Sequence, residues 1–274
     1  MRLRGNFIIY ILYFSTSIIL AQEINTISAT PDLPIKGICA HRGAKETHPE
    51  NTISAFKEAI RLGAQMIEFD VQLSKEGELV IMHDATVDRT TNGKGEVAEL
   101  TLPELKLLDA GSWKSEKFVG EKIPTLKEVL QIMPQNIWLN IHLKGNKKLG
   151  FKTAKLILVE NRASQAVIAC EKKAVRGVRM VNKELMICNM ERLKSRGKYI
   201  AETIKKGYSF IQLKKSRDDE NIKRDIQKLK EHNIIINYVQ ADSSDEVLKL
   251  LQNGIDFVLT DQLESMLKTF LKIQ

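Results

Sequence analysis

Short apolar runs alternate with amphipathic stretches along almost the whole chain, and this rhythm limits the possible folds more than any other feature. Strand patterns fall at 37–40, 66–73, 79–83, 137–143, 166–170, 185–188, 210–213, 234–239 and 257–260. Helical patterns fall between them at 51–62, 125–133, 150–161, 171–180, 199–206, 220–232, 243–252 and 262–271. Strands separated by helices pair in parallel, because a parallel pair needs a long crossover and a helix supplies it. About eight such units in roughly 240 residues predict an α/β fold of the TIM type, a (β/α)8 barrel. The run at 79–83 follows a Glu76-Gly77 turn and reads as a local hairpin partner, not a barrel strand.

Residues 84–122 interrupt the rhythm. They hold Thr90-Thr91-Asn92-Gly93-Lys94-Gly95, which is loop chemistry. They also hold Thr101-Leu102-Pro103-Glu104, a helix start with Pro in the first turn and Glu at the capping-box position. This is an insertion of about 40 residues after the second barrel strand, too long for an ordinary connection. It leaves from the C-terminal face of the sheet, where such barrels carry their sites. It is expected to roof the site; a plain surface elaboration is the alternative.

Arg2 and Arg4 precede an apolar stretch over 7–21, and Gln22-Glu23 opens polar sequence. This predicts a signal peptide over 1–21, a polar lead over 22–34 and a barrel domain over 35–274. The protein is then exported, to a periplasmic or extracellular space. An uncleaved anchor is the alternative, although the stretch is short for a span. Net charge is +8 over 274 residues. The lysines are scattered along the chain and no basic run is interleaved with aromatics. That argues against a nucleic-acid partner and leaves modest attraction to anionic substrates, with membrane contact at most peripheral. Cys39, Cys170 and Cys188 lie in apolar runs without metal-ligand spacing. Buried free thiols are expected, a Cys170–Cys188 disulfide being the alternative.

The chemistry concentrates on inward strand faces. In Met66–Leu73, Glu68, Asp70 and Gln72 share one face while Ile67, Phe69, Val71 and Leu73 share the other. Two carboxylates inside an apolar strand are costly unless something positive compensates them. His41-Arg42-Gly43 ends the first strand and His83-Asp84 ends the hairpin strand. Arg42 presents a planar fork that matches phosphate oxygens, and His41 and His83 can move protons near neutral pH. On 137–143 and just beyond it, Asn140, His142 and Lys144 share the other polar face. His142 would complete a cation shell with Glu68 and Asp70, and Lys144 would neutralise a phosphate oxygen. A hydrogen-bonded core histidine is the alternative for His142. Together these are the parts of a metal-assisted phosphate-ester enzyme.

The same residues carry a resemblance. His41-Arg42-Gly43, Pro49-Glu50-Asn51-Thr52, Ala55-Phe56, Gly63-Ala64, Ile67-Glu68-Phe69-Asp70-Val71, His83-Asp84, Arg89-Thr90-Thr91, Gly93, Leu108-Asp109-Ala110-Gly111 and Ile123-Pro124-Thr125-Leu126 occur in that order. The run resembles the glycerophosphodiester phosphodiesterase family, densely over 38–130. Beyond 145 it thins to Gly254-Ile255-Asp256 and Thr260-Asp261. The resemblance implies a TIM barrel, one divalent cation, calcium or magnesium, and hydrolysis of small glycerophosphodiesters to glycerol 3-phosphate and an alcohol. It implies His41 and His83 as the acid/base pair, Arg42 as phosphate binder, Glu68 and Asp70 as metal ligands, and Glu50 as a further polar member of the substrate site. One departure stands out: the family has Glu-x-Lys where this chain has His142-Leu143-Lys144. An imidazole in place of a carboxylate favours zinc or another transition metal over calcium. Tyr238 stands where the family often carries a Trp, and is expected to pack against substrate. Alternatives to the hydrolase are a lyase of phospholipase D type that releases a cyclic phosphate, and a binding protein that has lost its metal through His142.

Overall fold

The computed structural model describes residues 32–241 and 243–273, so the signal peptide and most of the polar lead lie outside the described residues. The parallel strands are β1 (Gly37–His41), β2 (Met66–Leu73), β4 (Trp138–Leu143), β5 (Ala166–Cys170), β6 (Met186–Asn189), β7 (Phe210–Lys214), β8 (Ile235–Val239) and β9 (Phe257–Thr260). They run in the order β1-β9-β8-β7-β6-β5-β4-β2, and a β1–β2 pairing closes the ring. The helices are α1 (Ile53–Leu62), α2 (Leu102–Leu107), α3 (Leu126–Ile132), α4 (Lys147–Val159), α5 (Lys172–Val181), α6 (Arg196–Lys205), α7 (Ile222–Glu231), α8 (Ser244–Gln252) and α9 (Leu263–Phe270). The TIM-type barrel expected from the alternation is present.

Side-chain parity sorts the core into two layers. Outward residues such as Ile67, Phe69, Ile141, Ile211, Ile236 and Val258 pack under the helices. Inward residues Cys39, Met66, Trp138, Cys188, Phe210 and Phe257 plug the barrel. Leu33 packs on this plug, and the Trp138 indole donates to the Pro34 carbonyl at 2.8 Å. Cys170 faces the helices and Cys188 the interior, so both remain free buried thiols, as does Cys39.

β3 (Leu79–Ile81) pairs antiparallel with β2 over Val71–Leu73, while β1 pairs with β2 over Met66–Glu68. The hairpin strand thus takes over the edge of β2 beyond the point where β1 ends, and the chain descends through it toward the site. The insertion behind it, expected over the site, reaches it through Asp84, which pairs with His83. None of residues 84–122 lines the central cavity. Val87, Val97, Leu105 and Ala110 instead build a small apolar cluster with Val80, Met82 and Ile123. Asp109, in the Leu-Asp-Ala-Gly motif, accepts from the backbone N–H groups of Gly111, Ser112 and Gly120, so that motif holds a loop together.

Helices α4 and α5 pack closely. A Cβ on Gly177 would lie 2.0 Å from the Lys147 carbonyl oxygen. Gly177→Ala therefore forces the helices apart, and we expect a loss of about 1–3 kcal/mol in urea unfolding despite alanine's better helix propensity. An unchanged midpoint would mean that the two helices do not touch there.

Candidate active site

The carboxyl ends of the strands surround a cavity of about 190 Å³ lined by His41, Arg42, Glu68, Asp70, His83, His142, Lys144, Arg192, Gln212, Lys214, Val239, Gln240 and Leu259. Seven residues singled out from sequence thus meet around one space: His41, Arg42, Glu68, Asp70, His83, His142 and Lys144. One ligand atom each from Glu68, Asp70 and His142 falls within 4.8 Å of the other two.

His-Arg-Gly is built for its place. Arg42 has φ 56° and Gly43 φ 80°, and a Cβ on Gly43 would sit 2.8 Å from the Ala55 backbone. Glycine lets the chain turn tightly against α1. The turn aims the Arg42 N–H at Glu68 Oε2, 3.1 Å away, and its Nε at Asp70 Oδ2, 3.4 Å away. Arg42, Arg192 and Gln240 are all non-glycine residues with positive φ on the cavity wall. Backbone held in this sparsely populated region clusters at functional sites.

Asp70 is the electrostatic centre. Asn51 Nδ2 donates to its Oδ2 at 3.0 Å. Lys144 Nζ lies 3.2 Å and His142 Nδ1 3.1 Å from its Oδ1. Burial works against this carboxylate, but His142, Lys144 and Arg42 outweigh it and hold Asp70 far below the usual range. Burial likewise opposes a charged His142, yet Asp70 and Glu68 hold its proton more tightly than in water. Asp70 Oδ1 is nevertheless buried without a hydrogen bond of good geometry. A buried polar atom left in that state calls for a partner such as a cation.

Each histidine is oriented by its own carboxylate. His41 Nδ1 is 2.5 Å from Asp261 Oδ1, and His83 Nδ1 is 2.6 Å from Asp84 Oδ1. A carboxylate only accepts, so Nδ1 carries the proton in both rings and Nε2 is left to act. His41 Nε2 lies 4.0 Å from Glu68 Oε2. Gln72 Nε2 donates to the Met82 and Asp84 carbonyls and so fixes the approach of His83. Hydrogen bonds from Arg89, and then His83, pull Asp84 down to about 2. Burial opposes the Asp261 carboxylate, but His41 and Lys45 depress it as well. A depressed carboxyl stabilises the fold above its unfolded value and loses that contribution as pH falls through the folded one. The thermal midpoint should therefore hold or rise from neutral pH to about 5, where the raised His142 gains its proton, and drop between about pH 4 and 2. A drop between pH 7 and 5 would contradict this.

Two expected substrate contacts need correction. Tyr238 is 1% exposed, lies in the outer core and donates to Asp218. Its parity on β8 is outward, so its neighbours Val239 and Gln240 reach the cavity instead. Glu50 lies behind the site: it accepts from Arg42 Nη1 at 2.8 Å and from Arg89 Nη2 at 2.8 Å. It clamps the arginine and does not line the cavity. Sequence reasoning did not single out Asp261, Asn51, Arg89, Arg192, Gln212 or Lys214 as site residues. Asp261, Asn51 and Arg89 had a signal, as members of the Thr260-Asp261, Pro49-Glu50-Asn51-Thr52 and Arg89-Thr90-Thr91 motifs.

Comparisons with known proteins agree with this geometry. The model of the glycerophosphoryl diester phosphodiesterase family matches residues 41–265. A glycerophosphodiester phosphodiesterase of Caldanaerobacter subterraneus subsp. tengcongensis is 56% identical over 109 residues, 39% of this chain. That match spans 45% of the relative, so the chain is aligned with about half of its length. A phosphodiesterase from Oleispira antarctica, solved with its product sn-glycerol-3-phosphate, superposes with a TM-score of 0.75 at 25% identity, covering 86% of this chain and 97% of that one. A glycerophosphodiester phosphodiesterase of Agrobacterium tumefaciens shares the fold, with a TM-score of 0.75 at 24% identity over 85% of this chain and 99% of that one. With a family model covering most of the barrel, this chain belongs to the glycerophosphoryl diester phosphodiesterase family.

Proposed function

We propose that the protein is an exported, metal-dependent hydrolase that cleaves small glycerophosphodiesters to glycerol 3-phosphate and an alcohol. The observation that carries this reading is the convergence of a Glu68-Asp70-His142 cluster and two carboxylate-oriented histidines on one cavity.

Glu68, Asp70 and His142 would hold a divalent cation, as the buried Asp70 oxygen without a well-aligned hydrogen bond and the oxygen–nitrogen donor set suit one. Such an ion supplies positive charge to the phosphoryl oxygens as charge develops on them. Calcium or magnesium follows from the family, while the His142 imidazole tilts the set toward zinc or a neighbouring transition metal. Arg42 and Lys144 bind the phosphodiester oxygens. One histidine takes a proton at Nε2 from the attacking water, whose oxygen forms the new bond to phosphorus. The other gives a proton from Nε2 to the departing alkoxide as the old P–O bond breaks. A second cavity of about 550 Å³ shares His142, Lys144 and Arg192 with the first and has room for the rest of the substrate.

The deciding experiment incubates the protein with several glycerophosphodiesters and a series of divalent ions, and follows products by phosphorus NMR. Glycerol 3-phosphate with a free alcohol is the expected result. A lasting cyclic phosphate would replace the hydrolase with a lyase, and no turnover with any ion would leave a binding protein. Export is supported by the basic start and apolar stretch over 1–21. It predicts a mature N-terminus near Gln22 on protein recovered outside the cytoplasm.

A further inference from the structure

Six basic residues that look scattered along the sequence lie exposed on two neighbouring helices of the barrel. Helices α4, KKLGFKTAKLILV, and α5, KKAVRGVRMV, pack side by side and contain no acidic residue. Lys147, Lys148, Lys155, Lys172, Lys173 and Arg176 are exposed. None of them is ion-paired with a carboxylate among the described residues. Of the nearby acids, Glu160 faces Lys127 at 3.8 Å, Glu171 is the N-cap of α5, and Glu78 lies across the groove beside α4. Lys147, Lys148, Lys172 and Lys173 occupy first turns, where the helix macrodipole disfavours positive charge. Their charge gains nothing from the helix dipole there.

The same face carries exposed apolar side chains. Phe151 is 39%, Leu158 38%, Val159 72% and Met180 60% exposed, four of the nine large apolar residues so exposed among the described residues. A groove of about 540 Å³ runs beside α4, lined by Phe151, Leu156 and Val159 with Lys152, Lys155 and one exposed acid, Glu78. Unpaired cations interspersed with apolar side chains match an interface with anionic head groups outside and acyl chains within. A nucleic acid would reward the cations and waste the apolar groups. No helix among the described residues is long and apolar enough to cross a membrane.

We propose that the α4–α5 face docks this protein peripherally on anionic phospholipid surfaces. The lysines meet the head groups while Phe151 and Val159 enter the acyl boundary. Asn146, Glu171 and Lys173, at the upper ends of these helices, also line the cavity beside the active site. The docked face therefore ends at the mouth of the site. This surface does not depend on the hydrolase reading, and its test does not require turnover.

Full-length protein is floated with vesicles of phosphatidylcholine alone or of phosphatidylcholine with phosphatidylglycerol. Binding to the anionic vesicles should be stronger by roughly tenfold or more and should weaken as salt rises. Lys148→Glu with Lys155→Glu should abolish most of that difference, again roughly tenfold or more. Its melting temperature should hold, because Lys148→Glu places a favourable charge in a first turn. Phe151→Ser with Val159→Ser should weaken anionic binding while leaving its salt dependence. The apolar stretch over 7–21 is common to wild type and variants, so the comparison isolates the helix face. Equal binding to both vesicle types, an unchanged difference in the lysine variant, or a preference for duplex DNA over anionic vesicles would each overturn the proposal.

Discussion

His41→Ala and His83→Ala should each lower kcat by about 10²–10⁴-fold, the range for losing a positioned acid or base. The fold should survive both changes. The His41 and His83 side chains line the open cavity, so truncation enlarges that space and leaves no void in the apolar core. Circular dichroism and the thermal midpoint should stay near wild type. Asp261→Asn provides a graded control. The amide keeps the size of the carboxylate and loses the charge that fixes the Nδ1 proton of His41. It should reduce kcat by less than His41→Ala while KM moves little, because Asp261 touches the imidazole and not the substrate. Near-normal turnover in either alanine variant would remove that histidine from the scheme.

The barrel is legible in the sequence because parallel strands buried on both faces read as continuous apolar runs, and each is followed by a helix-period stretch. Boundaries are less so. A helix is expected from 150, yet α4 begins at Lys147, because Asn146 caps it by accepting from the Lys148 N–H. Two lysines after the cap carry no apolar period to announce the turn. The site is legible where polar residues intrude on inward strand faces, as with Glu68, Asp70, His142 and Lys144. It is not legible where loops supply the partners. Asp261 reaches His41 across 220 residues, and Arg89 reaches Glu50 from the insertion. No periodicity links such pairs; only closure of the barrel does. Tyr238 shows the opposite error. Strand parity alone turns it outward, since Asn237 and Val239 face in, and the family pattern misleads where parity would have corrected it.

Removing the charge of Asp70 should produce the largest combined effect on binding and stability. Asp70 is 1% exposed and holds Arg42, Lys144 and His142 together. Asp70→Asn keeps the shape and strips the compensating charge, leaving three cationic groups facing each other. Loss of one partner from a buried ion cluster costs about 3–5 kcal/mol. The variant should therefore unfold at lower urea and retain no stoichiometric divalent ion after dialysis, with turnover reduced by orders of magnitude. His142→Glu separates the ligand role from the charge role. It exchanges an imidazole for a carboxylate and restores the harder oxygen set that suits calcium and magnesium. Dialysis against equal zinc and calcium should leave mainly zinc on wild type and shift the variant toward calcium, as read by elemental analysis. The cause would be softness of the ligand and not affinity alone, since imidazole suits zinc while carboxylate oxygens suit calcium. If wild type and His142→Glu retain the same metal in the same ratio, His142 does not touch the ion. Its place beside Asp70 would then be that of a second cation in the phosphate cradle with Arg42 and Lys144.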